Sequence, residues 1–145
     1  MMAFDVAQLM KMSQAQLDEL FRDSPAGDIP SGEGDGTTLM APGTEFSEIA
    51  AKLIHLFAWQ GKVFDPETGE LRNKISPLGI EAILAKVYKD QSWVAGKECI
   101  IVDYSQTQPL APWGRDEIRQ VGPKLYLGIA YLGKLKLWDF ALDFQ

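Results

Sequence analysis

The chain has 145 residues, 46% of them hydrophobic and 23% charged, with a formal net charge of -6. That length suits one domain with its own core, and that composition belongs to globular chains and not to disordered ones. The negative charge is diffuse, which argues against nucleic acid and anionic membrane surfaces as partners, since both require a basic face.

A single cysteine, Cys99, excludes an internal disulfide and any multi-cysteine metal site, and fits a reducing compartment. Residues 1–11 carry neither a basic start nor a long apolar stretch, so no secretory segment is expected there. No window reaches the 18 or so consecutive apolar residues of a membrane span. The expected compartment is the cytoplasm.

In chain order, the first sixty residues or so read as helical. Ser13 and Gln16 form a capping box, followed by an apolar stripe of Leu17, Leu20 and Phe21. Asp23-Ser24-Pro25 ends that helix, because the residue before proline is pushed out of the α region. A turn upstream, through Phe4, Leu9 and Met10, is compatible with the pattern. Residues 25–36, rich in glycine and proline, read as a loop, with a short strand over 37–40. A second helix is expected over 44–58, with Thr44 as N-cap and Phe46, Ile49, Leu53 and Phe57 on one face. The only histidine, His55, falls on the opposite face.

From Gly61 the hydrophobic period changes to two. Residues 63–71 read as a hairpin, with Pro66 at its first corner and Gly69 supplying positive φ. Further strands are expected over 83–89, 99–105, 125–132 and 135–144, with turns at Ala95-Gly96 and Gly133-Lys134. Ile100-Ile101-Val102 and Leu125-Tyr126-Leu127 are apolar on both faces, so both faces must be covered, and helix 44–58 is the expected cover. In 135–144, Trp138, Phe140, Leu142 and Phe144 alternate with Asp139, Ala141 and Asp143, which predicts a half-exposed strand guarded against edge pairing. The expected class is α+β, mainly β: an antiparallel meander or small barrel with two N-terminal helices packed against it. One domain is expected over 1–145, helical over 1–58 and β over 61–145.

Candidate chemistry is sparse. One histidine and one cysteine on separate elements do not make a transition-metal site, and Gly34-Asp35-Gly36 lacks the ligands of a calcium loop. Cys99 opens a strand with no helix N-terminus to activate it, so a core or edge thiol is expected. No nucleophile elbow and no phosphate loop is present. The unusual stretch is Asp103-Tyr104-Ser105 followed by Arg115-Asp116-Glu117-Ile118-Arg119 between two apolar strands. Two readings stand. In one, the charges close a barrel mouth through a salt-bridge network; in the other, they form the polar end of a pocket, where an arginine grips a carboxylate or Tyr104 bonds a ligand oxygen. The aromatics Phe64, Tyr88, Tyr126 and Trp138 either fill a core or line a cavity, since small barrels do both.

Trp93 to Ser105, with Arg115 to Arg119 and Leu125-Tyr126-Leu127-Gly128, resembles an uncharacterised family of small microbial proteins over roughly residues 14–145, without an implied reaction. More distantly, Trp59-Gln60-Gly61-Lys62-Val63-Phe64, the strand ending at Asp103-Tyr104 and the closing Phe140-Ala141-Leu142 are similar in order to calycin-type barrels: lipocalins, fatty-acid-binding proteins and GXWXG-type domains. Here the tryptophan precedes the glycine, unlike a lipocalin's opening motif. The resemblance implies a calycin-like barrel that takes a lipid or other apolar guest.

The expected function is non-enzymatic binding of a small apolar or amphipathic ligand, fatty-acid- or isoprenoid-like. Its body would lie among Phe64, Tyr88, Tyr126 and Trp138, and its polar head among Asp103, Tyr104, Arg115, Asp116 and Arg119. No catalytic residue, cofactor or metal is assigned, and a monomer or weak homodimer is expected. The alternative is a cofactor-free isomerase or hydro-lyase using Asp103, Asp116 or Glu117 as base and Tyr104 as acid. A third class is an interaction module that docks a protein through the half-exposed strand 135–144.

Overall fold

The computed structural model describes residues 5–39, 59–65, 67–75, 80–94, 96–105 and 114–144. Two short helices open the chain, each started by a reciprocal cap. Helix α1 (Val6–Met10) is capped by Asp5, whose carboxylate accepts from the Gln8 N–H while the Gln8 side chain accepts from the Asp5 N–H. Helix α2 (Gln14–Asp23) repeats the device with Ser13 and Gln16, as the sequence predicts, and ends at Ser24 before Pro25. A five-residue helix has no stability of its own, so α1 depends on Leu9, which is wholly buried.

Eight strands follow: β1 (Gly32–Leu39), β2 (Trp59–Asp65), β3 (Glu70–Ile75), β4 (Ile80–Gln91), β5 (Glu98–Asp103), β6 (Gly114–Gly122), β7 (Leu125–Leu132) and β8 (Leu135–Asp143). Each pairs antiparallel with the next, and β8 pairs antiparallel with β1, so the sheet closes into a barrel. The fold is therefore mainly β with two N-terminal helices, consistent in architecture with a small calycin-like barrel. The β2–β3 hairpin turns where expected, with Gly69 at φ 68°.

Three elements differ from the sequence reading. The glycine-rich run read as loop becomes strand from Gly32 onward. A Cβ at Gly34 would lie 2.6 Å from the Phe144 ring, so the missing side chain here makes room for an aromatic. The charged stretch at 115–119 is the middle of β6, which turns into β7 through Pro123-Lys124, with Lys124 at φ 59°. Strand β8 is no edge: it is paired on both sides, and Asp139 is 2% exposed. The expected helix 44–58 and His55 lie outside the described residues.

Closure gives the sheet an inside and an outside, each with its own core. Phe64, Leu71, Ile100, Ile118, Tyr126 and Phe140, drawn from six strands, meet in the lumen. On the outer face, Leu9, Leu17 and Phe21 of the helices pack on Leu127, Ile129 and Ala141 of β7 and β8. Each large side chain buried this way contributes about 1.5–3 kcal/mol. The two-sided burial expected for β5 and β7 is present, and on β7 the helices α1 and α2 supply the outer cover.

Arg119 fastens that cover. It projects outward from β6, is 1% exposed, and donates to the carbonyls of Phe21, Arg22 and Ser24 at the end of α2 and of Glu98 on β5. Carbonyls at a helix C-terminus lack intrahelical donors, and a guanidinium there satisfies them while complementing the helix dipole. The Gln120 N–H adds a bond to the Pro25 carbonyl, so the linker after α2 is tied to β6.

Candidate functional site

The two ends of the lumen differ. At the end carrying the short connections 66–69 and 123–124, the Phe144 ring sits edge-on to Phe64 and Tyr126, with centroids 5.7 Å and 5.5 Å apart. This end is plugged by aromatics. The strand ends at the opposite rim are joined through 40–58, 76–79, 104–113 and the tight turn 133–134. Toward that rim the inward positions turn polar.

Lys62 of β2, Asn73 of β3, Tyr104 just after β5 and Asp116 of β6 converge there. Lys62 Nζ donates to Asn73 Oδ1 at 2.7 Å, to Tyr104 Oη at 3.0 Å and to Asp116 Oδ2 at 2.9 Å. Asn73 Nδ2 donates to Tyr104 Oη at 2.9 Å, and Tyr104 Oη donates to Asp116 Oδ2 at 3.3 Å. Strand alternation places them: Lys62 lies two residues before Phe64, and Asn73 two after Leu71, so each shares the face of a core residue. The Lys62 and Asp116 side chains are 4% and 8% exposed.

Burial disfavours the charged ammonium of Lys62, but the neighbouring Asp116 and Tyr104 oxygens outweigh it and raise its pKa to about 12. Burial and then the Asp116 carboxylate push the Tyr104 phenol up to about 12. Both groups therefore stay protonated at neutral pH and act as fixed donors. The bonds accepted by Asp116 all fall on Oδ2; its Oδ1 accepts none among the described residues.

Of the residues singled out in the sequence, Phe64, Tyr104, Asp116, Tyr126 and Trp138 share the lumen. Tyr88, Asp103, Arg115 and Arg119 face outward. Tyr88 Oη donates to Asp103 Oδ2 at 2.8 Å on the surface. Burial would raise the Asp103 carboxyl, but hydrogen bonds from Ser105 and Tyr88 win and hold it below the ordinary value. The remaining charges of the 115–119 stretch form a separate outer cluster. Glu117, 0% exposed, accepts from Ser92 Oγ at 2.6 Å, the Trp93 N–H at 2.8 Å and Arg115 at 2.8 Å. The Arg115 guanidinium lies 4.0 Å from the Trp93 ring centroid. This network ties the β4–β5 turn to β6, which is a structural use of the charges.

Sequence reasoning missed Lys62 and Asn73, although their spacing from Phe64 and Leu71 carried the signal. Cys99 is wholly buried, and burial followed by the Glu117 carboxylate raises its thiol to about 12, so it is no nucleophile. Among the described residues, no three His, Cys, Asp or Glu side chains cluster as metal ligands, and no helix is long and apolar enough to cross a membrane.

Fold and site together define a closed eight-stranded antiparallel barrel with a buried ion pair in its lumen. No family model matches the sequence, and no curated protein matches it. Among solved structures, a crystal structure of a protein from Thermomonospora curvata is similar, with a TM-score of 0.69 at 19% identity, covering 97% of this chain and 93% of that one. A likeness at that identity shows the shared barrel fold.

Proposed function

We propose that the protein binds a small apolar or amphipathic molecule in the barrel lumen without transforming it. The ligand's body lies against the inward apolar residues, and its polar end meets Lys62, Tyr104 and Asp116. One observation carries the reading: a buried ion pair with two further polar partners sits inside an apolar barrel, at the end opposite its aromatic plug. Such a pair is a poor way to stabilise a core, since well-packed apolar residues serve at least as well. A pocket instead uses a few placed polar groups in an apolar wall to orient its guest. Tyr104 and Trp138 are only partly buried, which leaves surface at this end for contact. Every group comes from one chain, so the reading is compatible with a monomer or weak homodimer. Native mass spectrometry of freshly purified protein tests it. A retained small molecule, released on unfolding, supports the reading; a bare mass together with no thermal shift from any lipid or isoprenoid overturns it.

The second reading, a cofactor-free isomerase or hydro-lyase, has the adjacency of Asp116 and Tyr104 in its favour. Against it, Tyr104 and Lys62 hold their protons far above neutrality, whereas acid–base catalysts work best with pKa values near the operating pH. Asp116→Asn separates the two: an enzyme loses turnover while retaining substrate affinity, and a binder changes affinity alone.

A further inference from the structure

The hydrogen-bond inventory of the luminal cluster selects the chemistry of the guest's polar group. An ammonium has three N–H bonds, and among the described residues Lys62 donates to Asn73, Tyr104 and Asp116. The single Tyr104 O–H goes to Asp116 Oδ2, and its oxygen already accepts from Lys62 and Asn73. The cluster is thus rich in donors, but the donors of Lys62 and Tyr104 are consumed within it. Among the described residues, Asp116 Oδ1 is an acceptor that takes no bond, on a side chain that retains 8% exposure.

We infer that the ligand's polar end is a neutral hydroxyl, alcohol or phenol, that donates to Asp116 Oδ1; this rests on the lumen being the binding site. A carboxylate would meet the Asp116 charge in a low-dielectric lumen without a Lys62 or Tyr104 donor to receive it. A ligand ammonium would be drawn to Asp116 but repelled by Lys62, whose Nζ is 2.9 Å from Oδ2. A hydroxyl makes a charge-assisted bond and adds no charge beside the Lys62–Asp116 pair.

Calorimetric titration of the intact protein with four probes of equal chain length tests this: decanol, decyl methyl ether, decanoate and decylamine, at neutral pH. Decanol is expected to bind at least about tenfold more tightly than each of the others, the ratio a hydrogen bond to a charged acceptor commands. Ether, decanoate or decylamine binding as well as decanol overturns the hydroxyl assignment while leaving the lumen as the site. If none of the four binds, the luminal reading itself fails. Asp116→Asn removes the negative charge and leaves Lys62 uncompensated, so the order is expected to invert toward decanoate. An unchanged order in a folded variant also overturns the inference, and should that variant not fold, the wild-type series decides.

Discussion

Replacing Lys62 by methionine keeps most of the side chain's volume but removes the ammonium from Asn73, Tyr104 and Asp116. Asp116 is then left buried, with Tyr104 as its remaining partner. Removing one member of a buried pair costs about 3–5 kcal/mol, because the surviving charge stays desolvated. At roughly 2.1 cal/mol/K per residue, unfolding entropy for 145 residues is about 0.3 kcal/mol/K, so the melting temperature should fall by about 10–16 °C. The double variant Lys62→Met/Asp116→Leu removes both charges. Asn73 and Tyr104 can then satisfy one another, since they are already bonded at 2.9 Å. Its stability should return to within about 1 kcal/mol of the parent, or exceed it. Thermal melts followed by circular dichroism, with urea titrations beside them, measure both. A single variant melting within about 3 °C of the parent would refute the cost assigned to the orphaned charge. A double variant as unstable as the single would refute the reasoning that this cluster serves something other than stability.

Arg119→Ala should cost about 3–4 kcal/mol in urea unfolding, since it orphans carbonyls of Phe21, Arg22, Ser24 and Glu98; Arg119→Lys should restore little, because one ammonium cannot span them. Cys99 should resist a thiol reagent in the folded protein at neutral pH and react at once in denaturant, and prompt labelling of native protein would contradict its burial. Asp139 has a folded pKa raised by burial, against the opposing pull of Lys136 and Gln14. Its ionisation therefore weakens folding: stability falls as pH rises from the ordinary carboxylate value to the folded one, and stays lowered above it. Asp139→Asn should accordingly be neutral to stabilising near neutral pH, with the advantage vanishing in acid; a loss of urea stability at neutral pH would contradict the sign.

Local signals explain what was legible in the sequence. Both ends of α2 were readable because a Ser-x-x-Gln box and a proline act through bonds spanning three residues or fewer. The β2–β3 hairpin, β5 and β7 were readable from turn residues and apolar runs. Strand β6 escaped because charges at 115, 116, 117 and 119 hide the period of two; the structure sends Asp116 and Ile118 inward and Arg115, Glu117 and Arg119 outward. The same alternation dissolved the expected polar pocket, since neighbours such as Asp103 and Tyr104, or Arg115 and Asp116, cannot share a face. Strand β1 escaped for another reason: its glycines give no hydrophobic signal, and the use of Gly34 depends on an aromatic ring more than a hundred residues away. Lys62 went unnoticed because a lysine in a strand ordinarily faces water. Its spacing from Phe64 put it on a core face, and closure of the barrel turns that face into an interior.

Methyl-resolved NMR of protein labelled at its isoleucine δ1 carbons locates the guest directly. Ile118 and Ile100 belong to the luminal core, whereas Ile129 lies beneath the helices on the outer face. Titration with decanol should move the Ile118 resonance saturably and leave Ile129 in place. A shift confined to Ile129, or no shift at either position at saturating decanol, would contradict occupancy of the barrel's interior.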